Sequence, residues 1–144
     1  SQPQYSLLYR RAEKKVIPIS IANGIGQIVW SPLAQGVLSG KYLPGTALPE
    51  GSRATSDDAH FMQQFLTDPV LEAVQSLKAV ADKAGCSLAQ LAIAWVLAQP
   101  GITSAIVGAS KPDQLRETAK AADLEIDPAL IAEAAAILEG VRIS

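Results

Sequence analysis

One cysteine, one histidine and no charge excess leave little room for several common kinds of function. The lone Cys86 rules out an internal disulfide framework, and one thiolate cannot build a zinc site by itself. In Gly85-Cys86-Ser87 it sits at an expected helix junction, where a small half-buried residue suffices. With His60 as the only imidazole, no His/Cys cluster with metal-ligand spacing exists, and no metal is expected. The net charge of −2 supplies no general attraction to nucleic acid or to an anionic membrane. The one close basic group, Arg10, Arg11, Lys14 and Lys15, reads as a solvated helix face. The longest apolar run, Leu91 to Ala98, falls far short of the ~20 residues that span a bilayer.

The opening Ser1-Gln2-Pro3-Gln4 has no basic segment followed by an apolar one, so no signal peptide is expected. It does not begin with Met either, which is what a processed chain or a fragment leads one to expect. These features fit a reducing, cytoplasmic setting.

What is present is a globular balance, 49% apolar and 18% charged over 144 residues. Continuous apolar runs alternate with helical periodicities, a pattern expected of α/β folds with parallel strands buried on both faces. Gln4 to Leu8, Ile25 to Trp30 and Ile102 to Val107 read as strands. Ala12 to Ala22 reads as a helix or helical turn, interrupted at Pro18 and closed by Asn23-Gly24.

Asp68-Pro69 offers an N-cap and a first-turn proline to a helix whose Val70, Val74, Leu77 and Ala81 form one stripe up to Gly85. Ser87-Leu88-Ala89-Gln90 is a capping-box pattern leading into Leu91, Ala92, Trp95 and Val96. Pro112 to Ala122 and a helix opened by Asp127-Pro128 follow, the latter with Leu130, Ile131, Ala134 and Leu138 inward. Tyr42 to His60, rich in Gly, Pro, Ser and Asp, is a long loop, either a functional lid or mobile. Three β/α units are legible, whereas a closed eight-fold barrel needs eight and about 250 residues.

Two strand-to-loop junctions carry candidate chemistry. In Trp30-Ser31-Pro32-Leu33-Ala34-Gln35-Gly36, continuing to Ser39-Gly40-Lys41-Tyr42, a buried strand meets a small-residue loop with glycines and a lysine. Exposed backbone N–H groups beside an ammonium suit a phosphate, though a turn that merely needs Gly and Pro reads the same way. In Gly108-Ala109-Ser110-Lys111-Pro112 a strand runs into a helix start with a hydroxyl and an ammonium at its mouth. That is either an anion site or simply an N-cap serine beside a solvated lysine.

These stretches, together with Gln2-Pro3-Gln4-Tyr5-Ser6-Leu7-Leu8 and Gln90-Leu91-Ala92-Ile93-Ala94-Trp95, resemble the aldo-keto reductases. The similarity is closest to the branch that includes the voltage-gated potassium channel β subunits, and it spans nearly the whole chain in the family's order. The resemblance implies the C-terminal part, strands six to eight and their helices, of a TIM-type (β/α)8 barrel. It implies NADP lying across the carboxyl ends of those strands, where barrel sites lie.

By matching position, Gln2 would hold the nicotinamide carboxamide and Trp30 would stack on the ring. Ser31, Leu33, Gln35, Gly36 and Lys41 would surround the pyrophosphate. Ser110 and Lys111 would take the adenosine 2′-phosphate beside Gly108, with Gln114 and Glu117 at the adenine. Thr118 stands where the family often has Asn, and a hydroxyl cannot reproduce an amide's paired donor and acceptor.

The family's Asp, Tyr, Lys and His catalytic set belongs to earlier strands, so no catalytic residue is assigned here. Tyr5, Tyr9 and Tyr42 do not match the catalytic tyrosine, and His60 reads as a surface or lid residue. The expected role is therefore the cofactor-binding part of an NADPH-dependent reductase of small aldehydes or ketones. The barrel's remainder would come from the rest of the protein or from self-association. A non-enzymatic NADP-binding regulatory subunit and a self-associating half-barrel are the alternatives.

Overall fold

The computed structural model describes residues 1–144, with the side chain of Asp58 left aside. Strand β1 (Gln27–Trp30) and strand β2 (Ile102–Ile106) pair in parallel, with a register shift between Gln27 and Ile28. Among the described residues five α-helices accompany them: α1 (Val16–Ala22), α2 (Asp68–Ala84), α3 (Leu88–Leu97), α4 (Pro112–Ala119) and α5 (Pro128–Ile137). Short 3₁₀ turns fill the connection between β1 and α2.

The expected first strand, Gln4 to Leu8, does not form. The N-terminal segment does run beside β1: Ile28 N–H donates to Ser1 O (3.0 Å), Trp30 N–H to Pro3 O and Tyr5 N–H to Trp30 O (3.2 Å each). Pro3 has no N–H, so the ladder loses the bond that residue would donate, and only the Gln4–Trp30 bridge remains. Ser6 then turns the chain, its Oγ accepting from Leu8 N (3.2 Å) and Tyr9 N (3.1 Å). The last residues return to this turn, with Arg10 N–H donating to Ile143 O (2.7 Å) and Ile143 N–H to Leu8 O (2.8 Å).

A second correction concerns Pro18. The helix breaks at Lys15 (φ −142°, ψ −49°), between a 3₁₀ turn at Arg11–Lys14 and α1. Pro18 itself falls in the first turn of α1, where a missing N–H costs nothing. Termination is as expected: Asn23 Nδ2 donates to Ile19 O (2.8 Å) and Gly24 takes a left-handed φ of 68°.

The capping signals translate into geometry with small shifts. Ser87 Oγ accepts from Gln90 N (3.2 Å) while Gln90 Oε1 accepts from Ser87 N (3.0 Å), closing the capping box. Asp127 Oδ1 accepts from Ala129 N (2.8 Å). Asp68 is not the cap of α2; Thr67 is, and Asp68 Oδ1 instead accepts from Gly45 N (3.1 Å), tying the long loop to the helix. Pro112 opens α4, which ends at Ala119 and passes into a 3₁₀ turn, Lys120–Asp123.

The core lies between the strands and helices α2, α3 and α5. Val74, Val80, Leu91, Val96, Ala134 and Leu138 are all at 0% exposure around Trp95, which is 1% exposed. Its ring sits 5.5 Å from that of Tyr5 and beneath the Arg10 guanidinium at 5.0 Å.

Burial on both strand faces is overturned. Gln27 and Val29 point into the helices, while Ile28, Trp30 and Ile106 are 41–45% exposed. Strand side chains alternate faces, and the helices of this chain cover one face only.

Gly40 is one glycine the packing demands. Its φ is +77°, and a Cβ there would stand 2.5 Å from Leu88 Cδ1 on α3. Gly40→Ala is expected to cost roughly 2–4 kcal/mol, left-handed strain plus overpacking. A urea unfolding midpoint lowered by less than the equivalent of about 1 kcal/mol would contradict this packing.

Candidate cofactor-binding site

β1 and β2 end side by side, with Trp30 paired to Ile106, so the loops that follow them are delivered to the same edge. Between these loops opens a cavity of about 1020 Å³, at the top of the ~300–1,000 Å³ typical of ligand sites. From the first junction it is lined by Trp30, Ser31, Leu33, Gln35, Gly36 and Lys41; from the second by Gly108, Ser110, Lys111, Gln114 and Glu117. Residues more than 75 positions apart in sequence, Trp30 and Ser110 among them, thus share one groove. Gln2 is not brought to it. That side chain is exposed and lines neither this cavity nor its smaller neighbour, where Gln4 stands beside Trp30 instead.

The loop after β1 holds an unusual backbone. Ser31 (φ 60°), Ala34 (φ 47°) and Gln35 (φ 59°) are left-handed without being glycine, and Gly36 follows at φ 96°. Each left-handed residue with a Cβ costs about 1–3 kcal/mol and persists only where the surroundings dictate it. Here Ser31 Oγ accepts from Gln35 N (3.3 Å) and Gln35 Nε2 (2.8 Å), pinning the turn. Gln35 Oε1 in turn accepts from Arg53 of the long loop. That bridge joins two segments of the cavity lining.

At the second junction three donors converge. Ser110 N (3.0 Å), Ser110 Oγ (3.0 Å) and Lys111 N (3.2 Å) all donate to Gln114 Oε1, which folds back over the start of α4. Ser110 is therefore not a side-chain N-cap; Lys111 occupies the cap position. Three donors around a single oxygen are the arrangement an anion's oxygen would meet. Gly108 has no left-handed φ, and nothing of the protein lies within 4 Å of where a Cβ would stand. The space it leaves opens into the cavity.

Lys41, Arg53 and Lys111 line the groove against one carboxylate, Glu117, and among the described residues none of the three cations forms an ion pair. That imbalance favours a polyanion. Thr118 also reaches the wall, but its Oγ1 donates into its own helix, to Gln114 O (2.9 Å) and Leu115 O (3.3 Å). It offers a ligand no donor, as its short side chain suggests.

Sequence reasoning missed Gly51, Ser52, Arg53 and Ser56, all in the long loop and all on the cavity wall. The signal available was an isolated arginine after Gly-Ser in a loop too long to be a mere connection.

None of the tyrosines lines either cavity. Tyr5 is buried and its hydroxyl donates to Glu13 (2.6 Å); burial first, then that carboxylate, push its ionisation far above the usual range. Tyr42 is 1% exposed against the core. His60 is exposed in the long loop and borders the smaller cavity. Burial also pushes the Cys86 thiol up, away from reactivity. Among the described residues no group of three His, Cys, Asp or Glu side chains could hold a metal, and no single helix is long and apolar enough to cross a membrane.

Comparison with known proteins identifies the chain's relatives. A probable voltage-gated potassium channel subunit beta from Arabidopsis thaliana is 43% identical over 125 residues, covering 85% of this chain and 38% of its own length. An L-glyceraldehyde 3-phosphate reductase from Escherichia coli is 39% identical over 124 residues, covering 83% of this chain and 35% of its own. Among solved structures, a glycerol dehydrogenase from Gluconobacter oxydans superposes with a TM-score of 0.78 at 25% identity, over 97% of this chain and 42% of that one. The chain thus spans about two fifths of the length of the relatives it matches. The model of the aldo/keto reductase family matches residues 1–139, so the chain belongs to that family and to its (β/α)8 barrel class.

Proposed function

We propose that the large cavity binds NADP, and that the chain is the strand-six-to-eight portion of a barrel that reduces aldehydes or ketones. The observation carrying this reading is the shared groove, lined together by an exposed indole, a three-donor cluster beside Lys111, and the cations Lys41 and Arg53. An extended dinucleotide has an aromatic ring at one end, two phosphates in the middle and, in NADP, a third phosphate beside the adenine. The residues supply a partner for each of those parts.

Trp30 would hold the nicotinamide flat, Lys41 and the left-handed Ser31–Gly36 backbone would face the pyrophosphate, and Ser110 and Lys111 would meet the 2′-phosphate. Hydride chemistry is what the nicotinamide contributes when bound. A carbonyl compound would take a hydride at carbon and a proton at oxygen to become an alcohol. The general acid giving that proton belongs, on this reading, to strands outside this chain.

A second reading, a regulatory NADP-binding subunit without turnover, is favoured by the 43% identity to a probable channel β subunit. A third, self-association of a half-barrel, is favoured by the exposed Ile28, Trp30 and Ile106, a face that further strands or a second copy would cover.

Titrating the intact protein with NADPH is expected to quench the emission of Trp30, and Trp30→Phe is expected to remove the saturable part of that signal. Buried Trp95 should report no change of its own. Absence of saturable quenching in the unmodified protein refutes the site. Quenching with aldehyde-dependent NADPH oxidation supports the enzyme reading; quenching without it supports the regulatory one. A dimeric elution volume that requires Ile28 and Ile106 would favour self-association.

A further inference from the structure

Helices α3 and α4 each carry a glutamine at the third position of a capping box, and the two glutamines behave differently. On α3, Gln90 Oε1 accepts from one donor, Ser87 N (3.0 Å), and Ser87 Oγ accepts in return from Gln90 N (3.2 Å). On α4, Gln114 Oε1 accepts from Ser110 N (3.0 Å), Ser110 Oγ (3.0 Å) and Lys111 N (3.2 Å). Lys111 holds the cap position, so both Ser110 donors lie outside what a capping box uses. An amide oxygen has two lone pairs, and three donors exceed them.

We infer that Gln114 is a built-in stand-in for the cofactor's 2′-phosphate. In the free protein its amide oxygen occupies the donors of Ser110 and Lys111, and the phosphate binds by displacing it. The inference rests on the NADP reading of the large cavity. It makes Gln114 a residue that sets the preference between NADPH and NADH, because it opposes only the ligand that needs its place. The 2′-hydroxyl of NADH brings no cluster of oxygens to that spot and leaves Gln114 where it is.

The exchange is finely balanced. A phosphate monoester brings three acceptor oxygens and nearly two negative charges, so each donor gains its own charge-assisted bond. Gln114 offers one neutral oxygen shared among all three. It is nonetheless tethered to the site, whereas the ligand arrives from solution, and a tethered group competes at a high effective concentration.

Withdrawal of the Gln114 amide leaves α4 supported. Pro112, in the first helical position, has no N–H to satisfy. Arg116 pairs with Asp113 (2.7 Å), and Thr118 Oγ1 donates to the backbone oxygen of Gln114 (2.9 Å). From α3, Gln90 Nε2 donates to Glu117 O (3.0 Å). None of these bonds uses the Gln114 amide. Ser110 and Gln114 are both exposed, so the released amide meets water rather than an apolar wall.

Fluorescence titration of the intact protein with NADPH and with NADH gives the ratio of their dissociation constants. That ratio isolates the 2′-phosphate, since the two ligands share the adenine and every other group. Gln114→Ala is expected to raise the preference for NADPH about five- to tenfold, the penalty lifted when a stand-in present about 80–90% of the time is removed. Gln114→Met keeps the side chain's length and helix propensity without the amide oxygen, and is expected to do the same. Agreement of the two separates loss of the stand-in from fraying of α4. A preference unchanged or lowered in both variants overturns the inference and leaves the cofactor reading standing. A parent protein that binds no NADPH overturns the cofactor reading and this one with it.

Discussion

Lys111→Met should raise the dissociation constant for NADPH about tenfold and leave that for NADH within twofold. A charge-assisted hydrogen bond to a phosphate contributes about 1.5–3 kcal/mol, equivalent to roughly 10–150-fold in affinity. Lys111 is exposed, so solvent and salt screen it and the lower end of that range applies. The ammonium acts alongside the Ser110 and Lys111 N–H groups, which remain in the variant and keep residual affinity. The salt dependence of NADPH binding should become shallower in the variant. Affinity in the parent should also fall as pH drops through ~6, where a phosphate monoester takes its second proton. Fluorescence titrations with both cofactors check this, and equal weakening of NADPH and NADH would assign Lys111 no role at the 2′-phosphate.

Trp95→Ala is the second large effect, on stability. The side chain is 1% exposed, stacked near Tyr5 and covered by Arg10, and α3 contributes Leu91 and Val96 to the same interior. Truncating a buried aromatic costs about 3–5 kcal/mol in transfer energy and cavity. Domains have about 5–15 kcal/mol in all. The loss reaches the N-terminal segment because Tyr5 also pairs with Trp30 through the backbone, so the indole at the cavity mouth should lose order with it. Chemical denaturation should show a lowered midpoint and, in the most marginal case, no cooperative transition. Trp95→Phe, which retains an aromatic against Tyr5, should cost clearly less. A Trp95→Ala midpoint within 1 kcal/mol equivalent of the parent would contradict the core described above.

Helix boundaries were legible because caps are local chemistry. Ser87 and Gln90 satisfy each other's backbone within four residues, and Asp127 reaches Ala129 two residues on, so no distant partner is needed. The same locality explains the errors. Gln4 to Leu8 looks like a strand by its apolar content, but pairing depends on which N–H groups face β1, and Pro3 and the Ser6 turn remove them. Pro18 looks like a break until the helix start is known; because Lys15 sets that start, the proline lands where it is harmless. In the sequence Arg53 reads only as part of the long loop, not as a wall residue. Its link to Gln35 crosses 18 positions of loop without regular periodicity.

The chain's own letters determined the family, the placement of the helices and the two glycine-bearing strand ends, since each is written in contiguous residues with local physical meaning. Only the folded arrangement decided that those two ends open into one groove, that Gln114 closes over the donors of Ser110 and Lys111, and that Gln4 rather than Gln2 stands beside Trp30. Parallel pairing of β1 with β2 is what brings Trp30 and Ile106 together, and a pairing between distant segments leaves no mark in either segment alone.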